Sequence, residues 1–227
     1  MNWRLNIVIP AGLVVLALLS FWRVNAADMV IPLIATRTLQ QFESDQHGQT
    51  RLVHEETGTL YRAANGDEAI WMNDAKTGEP SWTHVRANGK SVSITHKSHT
   101  YTVSTNPGLL TSPMAAAATA QIARNTQQQT LINGIWTREA PIKGANSGKI
   151  GGRVWSAVDY PLLVMRREMD LPPWPGGRSA GNTPKIIEEL SNVQVGAVPD
   201  PKMFVPPPLE GYMQVGCPGC TPPVPTK

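Results

Sequence analysis

A mainly β, α+β domain built as an antiparallel meander is what this sequence predicts, and three observations lead there. Runs such as Ser91-Val-Ser-Ile-Thr95 and His99-Thr-Tyr-Thr-Val103 alternate with the period of two that half-buried strands show. Asn65-Gly66 and Asn88-Gly89 separate β-type runs, and this dipeptide is the strongest short-range hairpin signal because both residues tolerate positive φ. Twenty prolines and nineteen glycines among 227 residues imply many turns rather than a helical bundle.

In chain order, residues 1–26 come first. Arg4 precedes an uncharged apolar run from Ile7 to Trp22, and Val24-Asn25-Ala26 supplies small residues where a signal peptidase would cut. The segment reads as a cleaved secretory signal or as an uncleaved N-terminal anchor, since the run approaches the ~20 residues that span a bilayer. Both place the remaining chain in the periplasm or cell envelope, with membrane association only through this segment if it is kept. Removing residues 1–26 takes away Arg4 and Arg23 and no acidic residue, lowering the formal charge from +3 to +1. That is too little for a nucleic-acid footprint.

Residues 27–208 form the expected β domain. Thr36–Phe42 fits a strand, and Asp45-Gln-His-Gly48 a turn. Thr50–Glu56 and Gly58–Arg62 are short β-type segments that return through Asn65-Gly66 into Glu68–Met72. Asp74–Gly78 turns the chain into Ser81–Val85, and Asn88-Gly89 into the two alternating runs. Ser112-Pro113 then opens an alanine-rich stretch that predicts a helix over residues 113–127, with proline at the first helical position. Strand-like segments resume at Thr130–Trp136 and Lys149–Trp155. Leu162–Asp170 reads as a strand running from core to edge, and Ile186–Val195 as the last long strand. Between them lies an irregular Pro/Gly connector, 172–184, long enough to rim a site. After Pro206 the chain is expected to leave the fold, residues 209–227 being a Pro-rich flexible tail.

The chemistry-bearing residues are sparse. Cys217-Pro-Gly-Cys220 is the only thiol pair, and in an oxidising compartment such a pair closes as a disulfide. The prolines that follow exclude the helix a redox motif would open. His96-x-x-His99 has metal-like spacing only on a helix, so no metal site is assigned. Glu55-Glu56 and Glu188-Glu189 alternate faces on a strand, so one of each pair can point inward. Serine-nucleophile motifs and phosphate-cradling glycine loops are absent, no catalytic residue is assigned, and no cofactor is expected. The tryptophans are more informative. Trp71, Trp82, Trp136, Trp155 and Trp174, with Met165, either fill the core or line an apolar ligand cavity.

Several segments together resemble exported bacterial proteins: Glu56-Thr-Gly-Thr-Leu-Tyr-Arg62, Leu131-Ile-Asn-Gly134, Leu162-Leu-Val-Met-Arg-Arg-Glu168, Glu189-Leu-Ser-Asn-Val-Gln-Val-Gly196 and Pro199-Asp-Pro-Lys-Met-Phe204. Their pattern is similar to the periplasmic lipoprotein-carrier superfamily, LolA/LolB-like, with its related sigma-factor regulator sensor domains. The resemblance covers roughly residues 36–212. It implies a curved antiparallel sheet, a half-barrel, with one or two helices covering its concave face, and a lipid or hydrophobic ligand inside. No catalytic residue carries over, and no motif pins Arg62, Arg86 or Arg153 to the cavity arginine of carriers. The expected function is therefore a non-enzymatic envelope binder of a hydrophobic ligand. The alternative is a structural or protein-interaction module of the envelope with no ligand cavity.

Overall fold

The structure is a computed structural model that describes residues 30–44, 49–104, 128–143, 150–160, 163–170 and 185–216. Among the described residues twelve strands form one open, curved sheet: β1 Leu33–Ser44, β2 Thr50–Arg62, β3 Glu68–Asp74, β4 Pro80–Ala87, β5 Lys90–Thr95, β6 Thr100–Ser104, β7 Gln129–Ile132, β8 Ile135–Lys143, β9 Ile150–Ala157, β10 Val164–Asp170, β11 Lys185–Val195 and β12 Met213–Gln214. Their spatial order is β12-β6-β5-β4-β3-β2-β1-β11-β10-β9-β8-β7. Two meanders, β1 to β6 and β7 to β11, are thus joined edge to edge by the β1–β11 ladder, which runs from Leu33↔Val195 to Phe42↔Lys185.

The hairpins follow turn chemistry. Gly66, Gly89 and Gly134 have φ of 89°, 72° and 81°, and Asn88 and Asn133 precede the latter two at 52° and 48°. The third of these turns corrects the sequence reading, which took Thr130–Trp136 as one strand. Asn133-Gly134 instead folds it into the β7–β8 hairpin. The two segments expected on either side of Thr57 are one strand, β2, paired along its length with β1. β10 is interior, between β9 and β11, rather than running to an edge. It pairs antiparallel with β11, from Arg166↔Glu189 to Asp170↔Lys185.

Curvature has a local cause at two glycines. A Cβ on Gly58 would overlap the Trp71 carbonyl oxygen and lie 2.8 Å from Met72 Cα; one on Gly152 would overlap the Glu168 carbonyl oxygen. The backbones of β2 and β3, and of β9 and β10, therefore approach as only glycine allows. The result is visible at the far end of the sheet. The Asn133 amide in the β7–β8 turn donates to the Leu190 carbonyl on β11 at 2.8 Å, although three strand steps separate β8 from β11, about 14 Å in a flat sheet.

One face of this curl holds the main core: Leu33, Ala35, Leu60, Ile70, Met72, Ala140, Val154, Leu163, Val164, Met165 and Leu190, drawn from both meanders. The outer face of β3 and β4 is covered differently. After the turn at Gly196, Asp200 caps a 3-10 turn, Pro201–Phe204, whose Met203 carbonyl accepts the Trp71 indole N–H at 3.3 Å. The chain then crosses to the sheet edge. There Tyr212 lies 2.9 Å from His96 Nδ1 and stacks on His99, and Met213–Gln214 pairs in parallel with β6. Residues 209–216, expected in a free tail, thus return to the sheet as a strap.

The helix expected over 113–127, the connector 172–184, the signal segment and the Cys217/Cys220 pair lie outside the described residues. Among the described residues, no helix is long and apolar enough to cross a membrane.

Candidate functional site

The inner face carries a charged seam inside its apolar surround. Arg37 enters from β1, Arg167 from β10 and Glu188 from β11, and they are 2%, 5% and 3% exposed. Arg37 Nη2 donates to Glu188 Oε1 at 2.7 Å, and Arg167 Nη2 lies 2.8 Å from Glu188 Oε2. Strand parity places them: Leu33, Ala35 and Arg37 share one side of β1, and Glu188 turns inward while Glu189 turns outward to Asn133 and Arg166. The expectation that one acid of that pair points inward therefore holds.

The seam continues across the sheet. The Arg37 guanidinium sits 5.4 Å from the Trp82 ring centroid, reaching from β1 toward β4. Its register partner on β2 is Gly58, and Met72 and Trp82 follow along that row on β3 and β4. Trp82 stacks on buried His84, with centroids 5.8 Å apart and planes 20° apart. Beyond His84, Arg62 donates to Glu68 Oε2 from Nε and Nη2 at 3.1 and 2.9 Å.

Burial sets the electrostatics. Desolvation holds the His84 imidazole below its ordinary pKa, the Glu68 charge pulling the other way, so His84 is neutral at neutral pH. Burial also presses the Arg167 guanidinium below its ordinary range, against the Glu188 charge and bond. Arginine stays protonated through such a change because its ordinary pKa is so high. Removing one partner of such a pair leaves a buried charge uncompensated, at about 3–5 kcal/mol.

A second charged array lies on the outer face of β8 to β11. Glu168 binds Lys185 Nζ at 2.6 Å, Arg166 Nη2 at 2.7 Å and Arg153 Nη2 at 3.2 Å. Burial alone would raise the Glu168 carboxyl, but the bonds and charges of Lys185 and Arg166 outweigh it and hold it down at about 2. Trp155 lies beneath this ladder, its ring 5.3 and 5.5 Å from Arg153 and Arg166. These groups link β9, β10 and β11.

The tryptophans singled out in the sequence are dispersed. Trp82 lies on the inner face and Met165 is fully buried in the core cluster. Trp71 is under the C-terminal strap, Trp155 under the ion ladder, and Trp136 is 54% exposed on the edge hairpin beside Leu131. Trp174 lies outside the described residues. A groove of about 510 Å³ opens where the β7–β8 tip meets β11, lined by Asn133, Ser191, Asn192, Val193 and Gln194, a largely polar wall ill suited to an acyl chain. Among the described residues no cluster of three His, Cys, Asp or Glu side chains could hold a metal; His96 and His99 converge on Tyr212 instead.

Sequence reasoning missed Arg37 and Arg167, and reached Glu188 only as one of a pair of which a single member faces inward. The available signal was a charged residue at an inward parity, Arg37 two positions after Ala35, in a stretch where its inward neighbours Leu33, Ala35 and Leu39 are apolar.

No protein-family model and no curated protein matches the sequence. Solved structures of similar shape include the MucA/MucB complex of Pseudomonas aeruginosa, at 11% identity over 82% of this chain and 59% of that one, TM-score 0.43. A LolA superfamily protein of Nitrosomonas europaea is similar at 6% identity over 76% and 90%, TM-score 0.32. A DUF1329 family protein of Desulfovibrio piger is similar at 9% identity over 81% and 93%, TM-score 0.33. The chain spans about three fifths of the length of the MucB structures it resembles.

Proposed function

We propose that this protein is a non-enzymatic, exported binder of a hydrophobic ligand, taken up against the inner face of the curved sheet. The observation that supports it most is the juxtaposition on that face of a continuous apolar cluster with Trp82, which is half-buried at its margin. A sheet whose two meanders curl around one side builds a concavity, and apolar concavities lined by aromatic and methionine side chains suit acyl chains. Trp82, Met72, Ile70 and Leu39 are the side chains of this reading. Of the sequence-derived residues, Trp82 and Met165 belong to the site, while Trp71, Trp136 and Trp155 belong to the strap, the edge and the ladder.

Native mass spectrometry of the full chain recovered from a bacterial envelope tests the reading. A population carrying a lipid-sized adduct, reduced by Trp82→Ala, is expected. A uniformly ligand-free mass that also fails to take up added decanoate or its methyl ester overturns it.

A second reading, a protein-interaction module of the envelope, draws on Leu131 and Trp136. Each is 54% exposed on the β7–β8 hairpin at the sheet edge, where an unpaired strand can accept another.

A further inference from the structure

The seam is incompletely satisfied. Arg37 Nε and Nη1 and Arg167 Nε are buried and have no hydrogen-bond partner among the described residues, and on the acceptor side Glu188 Oε2 and Glu68 Oε1 are buried without one as well. A buried donor without an acceptor costs about 1–3 kcal/mol, and more when it belongs to a charged group. A triad kept only for structure would have its donors met by carbonyls or a second carboxylate. The charge count points the same way. Among the fully buried side chains of the inner face three arginines, Arg37, Arg62 and Arg167, meet two glutamates, Glu68 and Glu188, leaving one positive charge in excess, while His84 is neutral and the less buried Arg86 and Glu56 at the same parity are of opposite sign.

We infer that Arg37 and Arg167 form an oxyanion site that receives the carboxylate of a long-chain carboxylic acid, whose hydrocarbon lies along the apolar inner face. This deepens the proposed function and rests on it. A monoanion matches the single excess charge, and the guanidinium fork with its unused Nε–H matches the geometry of a carboxylate. Trp82 is the gate. It lies over the Arg37 guanidinium, is itself only half-buried, and is the side chain that moves aside for a ligand to reach the Arg37 nitrogens. Glu188 is the internal competitor, since it accepts from Arg37 Nη2 and lies 2.8 Å from Arg167 Nη2.

Isothermal titration of the full exported chain at neutral pH with decanoate, methyl decanoate and acetate tests this. Decanoate binding about tenfold or more tighter than its ester is expected, the factor one charge-assisted hydrogen bond contributes. Acetate, lacking the chain, binds far more weakly. Arg37→Gln removes the preference for acid and keeps the affinity for ester. Glu188→Gln increases the preference for acid, an opposite sign that a general loss of structure does not produce. Equal binding of acid and ester by the unaltered chain overturns the oxyanion site and leaves the apolar reading standing. Binding of neither overturns both. Acetate binding as tightly as decanoate overturns the long-chain assignment. The acid-to-ester comparison needs no variant, so the outcome does not depend on Arg37→Gln folding.

Discussion

Glu168 joins cations from three strands, and exchanging its carboxylate for an amide separates that charge from everything else the side chain does. Its carboxyl is held at about 2 against an ordinary 4.5, and the side chain is almost fully buried. At ~1.4 kcal/mol per pH unit the gap corresponds to a ceiling of about 3 kcal/mol. Lys185, Arg166 and Arg153 are 34%, 32% and 50% exposed, so solvent screens the partners and about 2 kcal/mol is the working figure. The sign follows from linkage. A carboxyl whose pKa falls on folding contributes its stability above the unfolded value, and loses it as pH drops from about 4.5 toward 2. Glu168→Gln should therefore cost about 2 kcal/mol at neutral pH and progressively less below about pH 4.5. Chemical denaturation of both proteins between neutral and acid pH measures the difference, and other acids cancel because both proteins carry them. A penalty that stays constant across that range would refute the electrostatic account and assign the loss to packing.

Three further outcomes are expected. Gly58→Ala should destabilise the fold by about 3 kcal/mol or more or prevent folding, because the new Cβ meets rigid backbone rather than a movable side chain; thermal melting of the purified chain checks it. Tyr212→Ala removes the stack on His99 and the bond to His96 and should cost about 1–2 kcal/mol, with faster amide exchange confined to β6 and β12. His84→Gln should flatten the stability profile between about pH 7 and 5, since below about 6.5 the unfolded chain takes up a proton that the desolvated folded imidazole resists beside Arg37 and Arg86; denaturation across that range measures it.

Much of the fold was legible locally. Asn65-Gly66, Asn88-Gly89 and Asp74–Gly78 turn the chain where the residues require, because positive φ and side-chain-to-backbone bonds are properties of a few adjacent residues. Asn133-Gly134 carries the same signal, and the strand-like residues around it hid the hairpin. Pro199-Asp-Pro-Lys-Met-Phe204 stood out as a motif, yet its role needed Trp71, 132 positions away, to supply the indole that its Met203 carbonyl accepts.

The candidate site was far less legible. Arg37 and Glu188 are 151 positions apart, and nothing near either residue announces the other. The tryptophans drew attention by their size, but parity and strap divided them among two faces and an edge.

By itself, then, the sequence determined the antiparallel β character, most of the turns and that one member of Glu188-Glu189 faces inward, since these depend on a period of two and on backbone preferences of neighbouring residues. Only the tertiary structure decided that β1 pairs with β11, that the strap returns to β6, and that two arginines share one glutamate beneath Trp82. Those contacts depend on how far the sheet curls at Gly58 and Gly152, and curvature accumulates over strands that are remote in the chain.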